Sequence, residues 1–244
     1  MQNNVTNEFS LAGYRALLAG LFERGYSARD FSNYDVDSSH LILRHDIDMS
    51  ISAACGVAAL ERDIGVTSTY FVLLRSELYS PFSESGRAEL IKLVELGHEV
   101  GLHLDASLYA DDTAALDEAA AWECDLLERL IGRPVRIISL HRPAQSLINT
   151  QNTLGRRPHT YQQRYFSDIG YCSDSRGTWG YGHPYEHQAV QNKSALQLLT
   201  HPIWWTGEAV SPKVRLDRFL RGRHETLGCA LAENCSIFEM GGKV

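Results

Sequence analysis

The chain has 244 residues, 44% of them hydrophobic and 22% charged, with a formal net charge of −7. That balance suits a globular protein with a sizeable core and argues against nucleic-acid phosphates or an anionic bilayer as the main partner. Five cysteines with no CxxC pair fit reduced thiols, no stretch approaches the roughly 20 apolar residues of a membrane span, and the opening "MQNNVTNEFS" lacks the basic start of a signal peptide, so the expected location is the cytoplasm.

The first predicted element is an amphipathic helix in "LAGYRALLAGLFERGY", closed near Gly25. The strand-like "HLILRH" follows, then a helix in "SISAACGVAALERDIG" with Ser50 as cap and Gly65 after its end. "STYFVLL" (68–74) is rich in aromatic and β-branched residues and reads as a buried strand. "SGRAELIKLVELG" is a helix stopped by Gly97, and "HEVGLHL" (98–104) is the next strand. The longest of these helices starts at Asp111-Asp112 and ends before Gly132; "VRIISL" (135–140) is a strand again. Residues 148–192 lack a helical period and read as an irregular active-site loop region. "ALQLLTH" (195–201) returns as a strand, and a helix with Pro212 in its first turn closes the chain. Strands alternating with helices predict an α/β fold with a parallel sheet, in one domain, with residues 1–38 as an N-terminal helical extension.

Four of the predicted strands end in unusual polar groups: His45-Asp46-Ile47-Asp48, His103-Leu104-Asp105, His141-Arg142-Pro143 and Thr200-His201-Pro202. In a parallel (β/α) barrel the C-terminal strand ends share one face, where active sites are built. One histidine after a strand is unremarkable; four such ends on one face are not. Histidine and carboxylate donors without thiolates suit Zn²⁺ or another borderline divalent ion. Such an ion activates water and polarises a carbonyl, a neighbouring carboxylate can act as base, and a histidine opposite can protonate a leaving amine. The constellation predicts metal-assisted hydrolysis of an amide or ester. His98 precedes its strand and belongs at the other end, and nothing beside Cys172 marks an activated thiolate. Trp204 and Trp205 read either as pocket wall or as core, and both readings stay open.

Five short segments, in order, resemble the motifs of the polysaccharide deacetylases of the NodB-homology type, carbohydrate esterase family 4: "RHDID", "GHEVGLH", "LHRPA", "SDSRGTW" and "LLTH". The resemblance spans about Leu41 to Trp205 and implies a distorted (β/α) barrel. It makes Asp46 the catalytic base, Asp48 the metal-binding acid and His103 a metal histidine. Arg142 would orient Asp46, Asp174 would orient or tune the acid, and His201 would be that acid. Trp179, in the fourth segment, joins Trp204 and Trp205 as a substrate-side residue. Two departures stand out. Ile47 separates acids that the family keeps adjacent, although alternation along a strand leaves both on one side. Ser107 stands where the family's second metal histidine belongs, so His141 is expected to be the third ligand, with Asp105 as its rival. The pattern is similar to a divergent branch associated with O-antigen and surface-polysaccharide biosynthesis.

The activity so implied is removal of an N-acetyl or N-formyl group from an amino sugar, nucleotide-linked, lipid-linked or in an oligosaccharide. A cyclic amide or ureide hydrolase on the same barrel is the second reading. A metal-free sugar-binding pseudoenzyme is the third. The cluster "YGHPYEH" (181–187) reads as a substrate-side loop.

Overall fold

The computed structural model describes residues 8–109, 112–180 and 182–238. In chain order the elements are α1 (Leu11–Glu23), β1 (Ser27–Arg29), β2 (His40–Ile47), α2 (Ile51–Asp63), β3 (Thr69–Val72), α3 (Glu84–Glu95), β4 (Glu99–Asp105), α4 (Thr113–Ile131) and β5 (Ile138–His141), then α5 (Gln163–Phe166), β6 (Gly170–Ser173), α6 (Gln188–Asn192), β7 (Leu196–Thr200) and α7 (Pro212–Asn234). The seven strands form one parallel sheet in the order β5-β4-β3-β2-β7-β6, with β1 paired to the start of β2.

The helix limits follow local chemistry. The Ser50 hydroxyl accepts from the Ala53 N–H at 3.1 Å and starts α2. Asp112 caps α4 through the Ala115 N–H at 2.9 Å, while Asp111, expected beside it, lies outside the described residues. Gly132 ends α4 in the left-handed region (φ 69°), which costs glycine little. Ser211 caps α7 ahead of Pro212 at its first position.

Strands β1 and β6 fall inside segments expected to be helical or irregular. Each is short, "SAR" and "GYCS", and owes its extended form to pairing with β2 and β7 rather than to a pattern of its own.

The sheet curls. Neighbouring strands lie about 4.8 Å apart, so a flat sheet would hold β2 and β5 roughly 14 Å from each other. Yet the Arg44 guanidinium on β2 reaches the Ser139 hydroxyl on β5 at 2.7 Å. Arg44 therefore sits on the concave side. Between β5 and β6 the sheet is open as a ladder, but residues 158–160 run along β5, with Thr160 N–H donating to the Ile138 carbonyl at 2.9 Å, and continue the wall. The result is an α/β half-barrel with helices outside.

Alternation divides β2. Leu41, Leu43, His45 and Ile47 face the helices, while Ile42, Arg44 and Asp46 face the concavity. Leu41 and Leu43 pack with Leu17, Leu18 and Leu21 of α1, each such side chain contributing about 1.5–3 kcal/mol on burial. The Tyr79 hydroxyl donates to the Ile47 carbonyl at 2.7 Å and accepts from the Leu73 N–H at 2.9 Å, pinning the strand end that carries Asp46 and Asp48.

Candidate active site and metal centre

The four polar strand ends meet at one rim, where a cleft of about 740 Å³ opens. That volume is in the range of small-molecule sites. Asp46, Asp48, His103, His141 and His201 lie in it; Tyr161, Tyr171 and Trp204 form apolar wall.

Asp46 is buried and held on both oxygens. Arg44 Nε donates to Oδ1 at 3.0 Å and Nη2 to Oδ2 at 2.7 Å, and the Ser139 hydroxyl lies 3.1 and 3.2 Å from the two oxygens. Burial works to raise this carboxyl, but Arg44 and then His103 outweigh it and hold it well below the usual carboxylate range. The partner expected there was Arg142. Its backbone turns into the left-handed region (φ 51°) after β5, and its exposed guanidinium pairs with Asp105 instead. Arg44 occupies the orienting position. Its placement was legible, because residues two apart on a strand share a face.

Asp48, His103 and His141 bring ligand atoms within 4.8 Å of one another. His103 Nε2 lies 3.2 Å and His141 Nδ1 3.6 Å from Asp48 Oδ1. Ligands about 2.1 Å from a tetrahedral ion stand roughly 3.4 Å apart, so these separations fit one. Asp48 Oδ1 and both ring nitrogens of His103 are buried without a hydrogen-bond partner among the described residues. Orphaned buried polar atoms are costly and rare. Asp48 Oδ1 and His103 Nε2 converge with His141 Nδ1 as a divalent-ion site requires, and the donor set fits zinc chemistry. Although burial raises the Asp48 carboxyl, His103 and His201 hold it below its ordinary value; burial lowers His141. Asp105, the rival ligand, is committed elsewhere. It accepts from Arg142 and from the Ser107 hydroxyl and N–H at 2.7 and 3.1 Å. Ser107 itself is turned to Asp105 and offers nothing to the trio.

His201 faces the trio from β7, with Nε2 3.7 Å from Asp48 Oδ2. Its Nδ1 lies 2.6 Å from the buried Asp174 carboxylate, which also accepts from the His201 N–H at 3.0 Å and from Trp205 Nε1 at 2.7 Å. Burial opposes a charge on this imidazole, yet Asp174, followed by Asp48 and Asp46, pushes it up to about 9.

The tryptophans separate. Trp204 lines the cleft. Trp205 is wholly buried, so it cannot stack on a substrate; it positions Asp174. Trp179 is half-buried, tilted against Phe9 and Trp205, and donates to Glu8 at 3.2 Å without lining the cleft. From the 181–187 cluster, His183 lies 2.9 Å from Glu8, and Tyr181 is outside the described residues. His98 lies at the other end of its strand, its Nε2 2.9 Å from the Ala58 carbonyl.

No family model and no curated protein matches this chain. Solved structures do. One is a family 4 carbohydrate esterase from Bacillus anthracis, 13% identical over 87% of this chain and 86% of that one, with a TM-score of 0.45. A Streptococcus pyogenes deacetylase in complex with acetate is 12% identical, covering 85% of each chain, at 0.45. A family 4 pseudoenzyme from Bacillus anthracis is 12% identical over 79% of this chain and 63% of that one, at 0.46.

Sequence reasoning assigned no role to Arg44, Ser139, Tyr161 or Tyr171. Only Arg44 carried a usable signal, its place two residues before Asp46. The others reach the site through the curl of the sheet, which no local pattern encodes.

Proposed function

We propose that this protein is a metal-dependent hydrolase that removes an N-acetyl or N-formyl group from an amino sugar. The observation that carries the reading is the meeting of two devices at one rim. A trio of metal-ligand groups (Asp48, His103, His141), of which buried Asp48 Oδ1 and His103 Nε2 have no hydrogen-bond partner among the described residues, faces an imidazole backed by a buried carboxylate (His201–Asp174). An arrangement that served only stability would have matched those atoms internally.

Asp48, His103 and His141 would hold a divalent ion, in our reading Zn²⁺, which when bound supplies Lewis-acid activation of water and of a carbonyl oxygen. Asp46 stays ionised, and its Oδ2 lies 3.7 Å from His103 Nε2, facing the same point as Asp48. It is placed to take the proton of the attacking water. Arg44 and Ser139 fix its rotamer, so no reorganisation is needed as that proton arrives. Asp174 fixes the His201 ring, leaving Nε2 to hand a proton to the departing amine. Tyr161, Tyr171 and Trp204 give the sugar an apolar wall.

The place in surface-polysaccharide or O-antigen biosynthesis, and a cytoplasmic location, extend this reading from the motif resemblance. Among the described residues no helix is long and apolar enough to cross a membrane.

Asp46→Asn keeps the shape of the side chain and removes the base. Acetate or formate release from N-acyl amino sugars should fall by about 10²–10⁴-fold, while bound metal, read by mass spectrometry, stays at the parent level. Undiminished release would remove Asp46 from the chemistry.

A further inference from the structure

A second cavity, of about 440 Å³, adjoins the catalytic cleft at Ile203, which lines both. Its polar lining comes from Ser50 and Ser52 at the start of α2, from Thr206, and from Arg215 and Arg218 on α7. No aspartate or glutamate lines it among the described residues. The chain as a whole has 30 acids against 23 lysines and arginines, so two guanidinium groups without an acid reverse the charge locally. A neighbouring hollow shares Ser50, Ser52 and Arg218, and there Glu89 is the one acid and Arg223 a further base.

Arg215 is the informative member. It is 7% exposed, the one buried residue of α7 among those described. Its Nη2 donates to the carbonyls of Phe9 at 2.8 Å and Glu208 at 2.7 Å, which ties α7 to the body of the fold. Those bonds employ one nitrogen of three. Nε and Nη1 have no acceptor, and the side chain makes no ion pair, among the described residues. Nη1 stands 3.6 Å from the point where a Cβ on Gly207 would lie, and Gly207 lines the same cavity. Buried guanidinium groups are normally paired with a carboxylate. Here the charge acting on it is a like one: burial, and then Arg218, push the Arg215 guanidinium below its ordinary value. Arg218 is itself loosely met, its Nη1 3.9 Å from Oε2 of the mostly exposed Glu208. A cation beside a cation, one of them buried, is an arrangement that an anion relieves.

The first turn of α2 adds partial positive charge to the same field. The Ser50 hydroxyl accepts from the Ala53 N–H, and its own proton can still donate. Two guanidinium groups and three hydroxyls offer more donors than the two oxygens of a carboxylate use. A phosphoryl group, with three acceptor oxygens and a charge of about −1.5 to −2, matches them better. We propose that this cavity is an anion subsite that receives a phosphoryl group of the substrate while the N-acyl sugar lies in the cleft, a placement that rests on the reading of the cleft given above. The substrate class is then a sugar diphosphate, carried on a nucleotide or on a lipid, rather than a neutral polysaccharide.

Calorimetric titration of pyrophosphate into the full chain tests the subsite. The parent should bind it, and Arg218→Gln, at an exposed position, should bind at least about tenfold more weakly for the loss of one charged donor. Arg221→Gln removes the same charge from α7 outside the cavity, and His103→Ala alters the candidate metal centre; both should bind as the parent does. No binding to the parent overturns the proposal, as does equal affinity in Arg218→Gln or a loss in His103→Ala. Acyl release then tests the occupant. On uridine diphosphate N-acetylglucosamine, or the same sugar on a polyprenyl diphosphate, Arg218→Gln should raise KM about tenfold at unchanged kcat. Whichever of the two shows the effect names the carrier, and a neutral chitooligosaccharide should show none. An unchanged KM on both diphosphates, or turnover confined to neutral sugars, overturns the substrate role. Pyrophosphate bound through Arg218 with no acyl sugar turned over would fell the hydrolase reading; turnover intact without pyrophosphate binding would fell the subsite alone.

Discussion

Strand β2 carries a cluster of acid and imidazole on each face, and the two are finished differently. On the helix side, Glu61 is wholly buried and both its oxygens are satisfied. Oε1 accepts from Tyr14 at 2.6 Å and lies 2.9 Å from His45 Nε2; Oε2 accepts from Ser68 at 2.6 Å and Tyr70 at 2.7 Å. His45 Nδ1 in turn lies 2.7 Å from the Thr200 hydroxyl. On the concave side, Asp48 Oδ1 and the ring of His103 have no partner among the described residues. Similar residue types within one sheet thus do two jobs. A network that answers its own polar atoms locks helix α2 onto the sheet. A set left unanswered carries about 1–3 kcal/mol per buried group, a cost that a bound ion would offset.

The comparison breaks most visibly at Glu61. Glu61→Leu leaves His45, Tyr14, Ser68 and Tyr70 facing an apolar group and should cost about 3–5 kcal/mol in urea unfolding, as for one partner taken from a buried ion pair. Metal stoichiometry of the folded variant should not change; a loss there would mean that the two clusters are one. The same residue sets an acid limb. Burial raises the Glu61 carboxyl, but His45, His98 and Ser68 outweigh it and bring it from 4.5 down to about 2. A carboxyl depressed by folding stabilises fully above its unfolded value, and that contribution is lost as pH falls from 4.5 toward 2. Unfolding free energy of the parent should therefore drop through that window, and Glu61→Leu should lose that part of the slope.

The smallest effect is expected on the concave rim. Arg142 and Asp105 form an exposed pair, so Arg142→Ala should change stability by about 0–1 kcal/mol. Turnover should stay within a few-fold of the parent, because Arg44 and not Arg142 holds Asp46. A loss as deep as that of Asp46→Asn would return Arg142 to the role first expected of it.

The helix-covered strands β2, β3, β4, β5 and β7 were legible because each carries its own apolar run and a turn signal on either side. β1 and β6 were not, since three or four residues hold no period and pairing alone makes them strands. At the site, the sequence order put Asp46, Asp48, His103, His141 and His201 on one rim, and the structure brings them together. What it hid was conformational. Nothing local announces that Arg142 turns left-handed and pairs with Asp105 rather than Asp46, or that Trp205 is sealed behind Asp174. Glu61 was hidden for a related reason: in the pattern of α2 it reads as one more polar position, and only the tertiary packing of Tyr14, Ser68 and Tyr70 makes it a buried anion.

The central claim is that Asp48, His103 and His141 form a divalent-metal site with His141 as its third ligand. Calorimetric titration of Zn²⁺ into the chelator-stripped full chain tests it most directly, with the parent, His141→Ala and Asp105→Asn in parallel. One ion per chain should bind the parent and Asp105→Asn alike, and His141→Ala should bind at least about a hundredfold more weakly. No binding to the parent, or equal affinity in His141→Ala, would contradict the account.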